Sequence, residues 1–430
     1  MHLTQLNIWN ETVWTILFIL SLFINLFGES DLTIKDLRVY SVRNEILPPI
    51  IVYRDLDVDG TENTTNDHIV IEFDITTRLK PNLQIIFKFC DRDWNQYDNI
   101  FLLNTGRDRF YNLQFRSAPT GVKHYTYTFK QKFPDEREQV TFPFSGKWSF
   151  VIADFKDETK IYGTGRFIVV HQEFPIKVRH SRHVIDDSLF EIMQWNRRDQ
   201  IAAEVTTPAY YDAFYQKEIE IVQNQKFNFP YRVNIEKISK NSYFEFISHA
   251  TKRFIKRDIF PGNEYRQLDL LDVKKYMGNK LHQNFEGVDV TRKFQLGGRD
   301  FNGGSKRYKQ DDVYNDYLEF NFVLSSPQIF SKDLFLIGSF NDWMPSYENK
   351  MERSSNYYSK ILTLKRGVYD YQYVLGVWND STKKAEKLDW LELEGSDWGI
   401  TNVYYVFAYY QDPLYGGYDR IVAFKEIYSR

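Results

Sequence analysis

The chain has 430 residues, of which 17% are aromatic and only ten are alanine. Tyrosine and phenylalanine favour strands and alanine favours helices, so the composition predicts a β-rich protein with about two to four domains. With 55 Lys and Arg against 58 Asp and Glu, the net charge of −3 argues against nucleic-acid binding through a basic face. A hydrophobic content of 43% excludes a wholly disordered chain. The single cysteine, Cys90, excludes an intramolecular disulfide and a cysteine-based zinc site.

The segment Val13–Phe27 is hydrophobic and carries no charged residue. It is shorter than the roughly 20 residues that cross a bilayer as a helix, and the small residue Gly28 follows it. We therefore expect residues 1–30 to be a secretory signal peptide cleaved near Gly28, although no Lys or Arg precedes the hydrophobic run. An uncleaved anchor and a buried hydrophobic segment are the alternatives. Export without disulfides is more typical of the bacterial periplasm than of animal secretion.

Short segments of strand-forming residues follow one another, separated by turns that contain Pro, Asn, Asp or Gly. This pattern predicts an all-β fold of tandem antiparallel β-sandwich domains, Ig-like or early-set in type. The best helix candidate, Asp186–Gln200, has irregular apolar spacing. The clearest predicted strands are Ile69–Ile75, Leu83–Phe89, Tyr125–Phe129, Trp148–Ala153, Phe167–Val170, Glu218–Val222 and Arg232–Ile238.

Three domains are expected after the signal peptide. The first covers residues 31–172 and ends after the predicted strand Phe167–Val170. The second covers residues 173–296, and the third covers residues 297–430, beginning in a glycine-rich stretch. No tandem repeat is visible in the sequence, so the three segments are assigned by composition and by their turns.

An acidic loop resembles the first half of a calcium-binding loop. Asp55, Asp57 and Asp59 alternate before Gly60, as the first ligands of such loops do. The twelfth position, which should be a bidentate Glu, is Asn66, and the flanking segments are predicted strands rather than helices. We therefore expect a solvated hairpin loop, with calcium binding as the alternative.

A histidine pair is the second metal candidate. His180 and His183 are three residues apart, a spacing that a helix would place on one face. Arg179 and Arg182 flank them and would repel a cation. We expect a solvated loop here and no metal site.

Sequence patterns of common enzymes are not found. The pairs Gly297-Gly298 and Gly303-Gly304 lack the order of a phosphate-binding loop. No G-x-S-x-G or H-E-x-x-H motif occurs. The sequence therefore gives no support for catalysis, and we expect a protein that is not an enzyme and needs no cofactor, with an enzyme of unknown type as the third alternative.

Seven short motifs occur in an order that resembles the plug proteins of the bacterial type IX secretion system. Two of them, Lys88–Trp94 and Ser145–Trp148, are similar to the amino-terminal domain of that family, although Phe89 stands where the family usually has His. The motifs span nearly the whole mature chain. The others are Gln223-Asn224, Gly262–Arg266, Phe335–Trp343 with Met351 and Gly367–Val374, Glu394–Ser396 and Tyr418–Arg420.

This resemblance implies a non-catalytic periplasmic protein at the inner face of the outer membrane. Its partner would be the large outer-membrane β-barrel translocon, whose periplasmic opening the plug closes when no cargo is engaged. A pore wide enough for folded proteins would otherwise leak solutes, and a rigid β-rich body is a suitable stopper. No nucleic acid and no small-molecule substrate are expected.

The third segment is also similar to the glycogen-binding modules of the early-set sandwich group, through Phe335–Trp343 and Gly367–Val374. Such modules stack exposed tryptophans on sugar rings, so Trp343 would be the first platform and Trp378 or Trp390 the second. In those modules the return segment usually ends in Val-Asp-Gly, and this chain departs from that ending. We expect a shared fold rather than a shared ligand. A secreted carbohydrate-binding accessory protein is the alternative function.

Seven residues are candidates for interaction with the translocon, and each has a structural alternative. Asp91 and Asp93 either contact the rim or form a turn that caps the preceding strand, with Trp94 in the core. Cys90 is expected to be a buried small hydrophobic residue. The candidates are Cys90, Asp91, Asp93, Trp94, Glu264, Arg266 and Trp343.

The three candidates in the second half of the chain also have simple structural interpretations. Glu264 and Arg266 are expected to pair along a strand, because they are two residues apart. Trp343 is expected to be buried, because Phe335, Ile337 and other apolar side chains crowd the same strand and turn.

Overall fold

The computed structural model describes residues 32–54, 68–184, 197–278, 280–284, 287–292, 300–309 and 311–429. These residues form an all-β structure of six sheets, as the composition and the short alternating segments predict. Within the described ranges, no helix has the length and apolarity to cross a bilayer. Four short 3₁₀ turns connect strands, at Ile100–Leu102, Ala213–Tyr215, Tyr347–Asn349 and Leu414–Gly416.

The first sandwich is made by the amino-terminal part of the described chain. Its first sheet has the order β1 (Thr33–Ser41), β3 (Ile69–Thr76), β7 (Tyr127–Phe133) and β6 (Phe115–Ser117). Its second sheet has the order β2 (Ile50–Arg54), β9 (Ile161–Gln172), β8 (Gly146–Asp154), β4 (Leu83–Cys90) and β5 (Arg109–Phe110). Only β2 and β9 pair in parallel. Buried Phe, Ile and Trp side chains fill the space between the two sheets.

The second sandwich combines strands that are far apart in sequence. One sheet has the order β10 (Ile176–Val184), β11 (Arg197–Thr206), β15 (Thr251–Ile259) and β14 (Ser242–Phe246). The other has the order β13 (Tyr231–Asn234), β12 (Gln216–Gln223), β26 (Val403–Asp412) and β27 (Tyr418–Tyr428). The last two strands therefore complete a sheet that the middle of the chain begins.

The third sandwich is built around one long strand. In its first sheet, β24 (Gly367–Asn379) pairs with β16 (Arg266–Asp269), β19 (Ser305–Arg307), β21 (Asp333–Gly338) and β25 (Lys384–Asp389). In its second sheet, β20 (Tyr317–Ser325) and β23 (Tyr357–Lys365) pair with β17 (His282–Gln283), β18 (Asp289–Val290) and β22 (Glu352–Ser354). Tyrosine, phenylalanine and leucine side chains pack between these sheets.

The strand pairing crosses the expected segment boundaries. Strands β16 to β18 lie in the predicted segment 173–296, yet they pair in the sheets of the third sandwich. Strands β26 and β27 lie in the predicted segment 297–430, yet they complete the second sandwich. Composition and turns mark where strands end, but not which edge a later strand will join, so the second packing unit is not a continuous stretch of sequence.

The seven clearest predicted strands all overlap strands in the structure, but β9 begins at Ile161, well before Phe167, and β13 ends at Asn234, before Ile238. The helix candidate Asp186–Gln200 lies mostly outside the described residues, and its last four residues belong to strand β11. The acidic loop Asp55–Gly60 and the hydrophobic segment Val13–Phe27 also lie outside the described residues.

The three sandwiches are in direct contact. Between the first and second, the outer faces of β2 and β9 pack on β26 and β27, burying Val170, Phe407 and Ile421. Between the first and third, the Lys365 ammonium lies 2.7 Å from the Asp74 carboxylate, and both side chains are buried. Apolar packing and a buried ion pair thus both hold the sandwiches together.

We expect deletion of residues 401–430 to unfold the second sandwich, because β12 would lose its neighbour and the core would lose Tyr404 and Val406. Calorimetry of the full chain should show one cooperative transition that the deletion weakens and splits. As a comparison, fragment 32–172 should fold by itself, since all strands of its two sheets lie within it. A folded fragment 173–296 would contradict this dependence on the last strands.

Candidate functional site

The first group of candidate residues forms a tight turn after β4. The Asp91 carboxylate accepts the backbone N–H groups of Asp93 and Asn95, both at 2.8 Å. Cys90 is buried at the strand end, with its sulfur 3.2 Å from the Ser149 hydroxyl, and burial raises the pKa of its thiol. The structure thus supports the interpretation of this motif as a strand-capping turn.

The side chains around this turn join the first sandwich to the second. Arg92 donates to Asp419 through its Nε at 3.0 Å and to Glu218 through its Nη1 at 3.0 Å. The Asp93 carboxylate accepts a hydrogen bond from Arg232 at 2.6 Å. Burial by itself would raise the pKa of Asp93, but this hydrogen bond holds that pKa below its usual value. Three strands from distant parts of the sequence meet here through charged groups.

Trp94 completes the same junction. Its backbone has a positive φ of 69°, and the side chain packs against the apolar layer between the sandwiches. The Lys147 ammonium lies 4.8 Å from the ring centroid and also 2.9 Å from the Glu220 carboxylate. Burial lowers the pKa of Lys147, and the pairing with Glu220 offsets part of this shift. Trp94 is therefore an anchor at the border of the core.

The expected pair of Glu264 and Arg266 is not formed. Arg266 pairs instead with Glu394, at 3.0 Å between Nε and Oε1, and lies 3.3 Å from Asp289. Glu264 accepts the backbone N–H of Thr401 at 3.2 Å. The prediction was wrong because residues two apart share a face only inside a regular strand, and Glu264 precedes the start of β16.

Trp343 is buried, as expected, with 1% of its surface exposed. Its indole N–H donates to the Gly303 carbonyl at 3.0 Å, and its ring centroid lies 4.2 Å from that of Tyr265. A buried indole cannot stack on a sugar, so Trp343 is not the platform that the glycogen-binding alternative requires.

The two histidines of the metal candidate lie in strand β10, not in the solvated loop that was expected. His180 lies 2.9 Å from Asp199 and His183 lies 2.8 Å from Asp258. Residues three apart point to opposite faces of a strand, which is why the pair does not converge. Among the residues that the structure describes, no group of three or more His, Cys, Asp or Glu side chains could hold a metal.

A cavity of about 500 Å³ lies where three of the seven sequence motifs meet. Gln223-Asn224 comes from the end of β12, Gly262–Tyr265 from the segment before β16, and Glu394 from the loop after β25. Five of its 19 lining residues are aromatic, and nine carry an amide or a charged group. The full lining is Gln223, Asn224, Lys226, Phe229, Pro230, Tyr231, Phe260, Pro261, Gly262, Asn263, Glu264, Tyr265, Arg292, Gln372, Leu388, Asp389, Trp390, Leu391 and Glu394.

Lys226 is the most unusual group in this cavity. Its ammonium lies 4.4 Å from the ring centroid of Trp390, 5.2 Å from that of Tyr265 and 5.9 Å from that of Trp343. Burial lowers the pKa of Lys226 to about 7, and the charge of Glu394 offsets only part of this shift. The amine is thus partly protonated near neutral pH and sits among aromatic rings.

The sequence interpretation missed Lys226, Gln372 and Arg292, and it considered Trp390 only as a sugar platform. Each residue is unremarkable in its own segment. They come together because the second and third sandwiches meet, and that contact depends on strand pairing that local sequence does not show. The sequence offered one indication of this site, because the motifs Gln223-Asn224 and Gly262–Arg266 both belong to the resemblance to one protein family.

A second unusual group lies beside the cavity. The Asp370 carboxylate is buried and accepts the backbone N–H groups of Phe301 at 2.8 Å and Gly303 at 2.9 Å. Burial raises the pKa of Asp370 to about 6. Burial and the neighbouring Asp370 charge raise the pKa of Asp300 to about 8. Both carboxyl groups therefore keep their protons to a higher pH than an ordinary aspartate does, Asp300 more so than Asp370.

No protein-family model and no curated protein matches the sequence. A crystal structure of a hypothetical protein from Parabacteroides merdae ATCC 43184 is similar, with a TM-score of 0.70 and 18% identity. That match covers 93% of this chain and 98% of the other, and at this identity it shows a shared fold alone.

Two further structures have low TM-scores. The BSP domain of a biofilm-associated protein gives 0.14 at 9% identity, covering 92% of this chain and 59% of the other. Escherichia coli alpha-2-macroglobulin activated by porcine elastase gives 0.15 at 10% identity, covering 93% and 30%. Neither indicates a common fold.

We expect Trp343→Ala to lower the free energy of unfolding by about 3–5 kcal/mol, because a large buried side chain and its hydrogen bond to Gly303 are lost. Urea denaturation of the two proteins measures the difference. Trp378→Ala serves as the matched control, since Trp378 is only partly buried and should cost less. A loss below about 0.5 kcal/mol for Trp343→Ala would mean that this residue is exposed in solution.

We expect Asp300 and Asp370 to make the melting temperature fall as the pH rises from 5 to 6.5, a range in which Lys226 is still mostly protonated. The pKa values of Asp300 and Asp370 lie above the ordinary value of 3.8, so the folded protein binds more protons than the unfolded chain in this range. Asp300→Asn should flatten this decline, whereas Asp380→Asn, at an exposed carboxyl, should not. Equal slopes for all three proteins, measured by thermal denaturation, would show that Asp300 is ionised throughout.

Proposed function

We propose that this chain is a non-catalytic periplasmic plug that closes the inner opening of the type IX outer-membrane translocon when no cargo is engaged. The sequence resemblance supports this assignment, since its motifs follow one another along most of the chain. The predicted signal peptide is consistent with delivery to the periplasm.

The observation that carries the proposal is that residues of these motifs join the sandwiches to one another. Arg92 in the first motif bonds Asp419 in the last, across the border of the first and second sandwiches. Asn224 in the third motif donates to the Tyr265 hydroxyl in the fourth at 3.1 Å, where the second and third sandwiches meet. The motifs thus include residues at the joints between the sandwiches.

Such joints suit a stopper for a wide pore. Domains that touch through small, polar interfaces usually move relative to one another, and such movement would open gaps beside the plug. Here a continuous apolar layer that includes Val222 and Tyr405 accompanies the charged contacts. A body stiffened in this way can fill an opening and bind its rim reversibly.

The carbohydrate-binding alternative is weakened by the burial of Trp343, the first stacking platform that it requires. No observed feature favours it over the plug. Retention on a starch or glycogen resin, without recovery of a barrel protein, would nevertheless establish it and contradict our proposal.

The proposal predicts recovery of a very large outer-membrane β-barrel protein when the tagged chain is purified from outer membranes of its native host without crosslinker. It also predicts that cells lacking the chain admit vancomycin, a solute normally too large for the outer membrane. Complementation with the wild-type chain should restore exclusion of the antibiotic.

A matched pair of variants tests whether the joints matter. Arg92→Met removes the contacts to Glu218 and Asp419, and we expect it to restore exclusion only partly. Arg109→Met removes a pair with Glu158 inside the first sandwich and should restore exclusion fully. Equal sealing by both variants at equal protein levels would contradict the role of the joints, and absence of a leak in the deletion strain would contradict the plug itself.

A further inference from the structure

The cavity contains a lysine without a carboxylate partner among the described residues. Two buried lysines elsewhere have one, since Lys147 lies 2.9 Å from Glu220 and Lys365 lies 2.7 Å from Asp74. Across the described ranges, no oxygen of the protein accepts a hydrogen bond from the Lys226 ammonium, which instead contacts aromatic rings. Lys226 is half-buried, and a cation partly withdrawn from water ordinarily gains from a counter-charge, so its place beside an open cavity calls for an explanation.

A second polar side chain in the cavity wall forms no hydrogen bond with the described residues. Gln372 lies on strand β24 and is only 5% exposed, yet no described residue forms a hydrogen bond with its side-chain amide. The amide atoms are not sealed from solvent, because they open onto the cavity. Since Gln372 lines the cavity, its amide is available to a bound molecule.

The other charged groups in the lining are already engaged. Glu394 pairs with Arg292 at 3.1 Å and with Arg266 at 3.0 Å. Asp389 accepts the backbone N–H groups that follow it, and Glu264 accepts the N–H of Thr401. Of the two basic side chains in the described lining, Arg292 is paired with Glu394, whereas Lys226 forms no ion pair.

We infer that this cavity is a binding site for a small organic anion, whose carboxylate contacts Lys226 and Gln372 and whose flat apolar body packs against Trp390 and Phe229. The volume of about 500 Å³ lies within the range of about 300–1,000 Å³ that is usual for small-molecule sites. Aromatic walls with a few convergent polar groups are also usual for such sites. This inference goes beyond the plug function and does not depend on it.

The state of Lys226 makes binding dependent on pH. Since burial lowers the pKa of this amine to about 7, the free site is largely uncharged at alkaline pH. An anion favours the charged form, so binding at pH 8 must take up a proton. Affinity should therefore fall by up to about tenfold per pH unit above pH 7.

The test is isothermal titration calorimetry of the full chain with indole-3-acetate as the probe and indole-3-acetamide as its uncharged counterpart. We expect saturable binding of the acid at pH 6.5 and at least about tenfold weaker binding of the amide. Lys226→Met should weaken binding of the acid to the level of the amide. Lys384→Met, which removes an exposed lysine of the third sandwich, should leave binding unchanged.

Several outcomes would overturn the inference. They are equal binding of acid and amide, unchanged binding in Lys226→Met, an affinity for the acid that does not change between pH 6.5 and 8.5, and no binding of the acid. Binding of maltose in its place would assign the cavity to neutral sugars. The comparison of acid and amide uses the wild-type chain, so it stands even if the Lys226 variant does not fold. Loss of plug activity in Arg92→Met would have no bearing on these titrations.

Discussion

The pairing of β12 with β26 is the interaction on which the rest of the structure depends. Residues Glu218–Gln223 align with Tyr404–Tyr409 in antiparallel register, and this alignment brings the last strands of the sequence into the middle of the molecule. The face of this sheet that contains Val222 and Tyr405 packs on the first sandwich. Its other face supplies Ile219 and Val406 to the core of the second sandwich. The two faces of this one sheet thus pack into two different hydrophobic layers.

Charged residues at the edges of these layers fix the geometry of the contact. Glu220 is fully buried between Lys147 and Arg232, and each of these three groups belongs to a different strand. Removing a single partner would leave an uncompensated buried charge, which is far more costly than losing an exposed pair. We interpret this network as fixing a single relative position of the sandwiches, because purely apolar surfaces can slide past one another.

The sequence was sufficient for the fold class and for individual strands. Segments such as Leu83–Phe89 combine strand-forming residues with turns at both ends, and this information is local. The same holds for the Asp91 turn and for the burial of Trp343, which sits in a locally apolar segment. Local information was not sufficient for Arg266, whose partner Glu394 comes from a distant loop. The cavity around Lys226 is lined by five separate segments, and only the tertiary structure brings them together.

The late position of β26 in the sequence has a consequence for biosynthesis. A ribosome makes β12 long before β26, and most of the third sandwich is made in between. Until β26 emerges, β12 has an unpaired edge and its apolar faces are uncovered, and contacts between such distant residues form slowly. The nascent chain therefore stays incompletely folded until synthesis is nearly finished. In this state a chaperone can hold it, and a secretion channel that accepts only unfolded chains can still transport it.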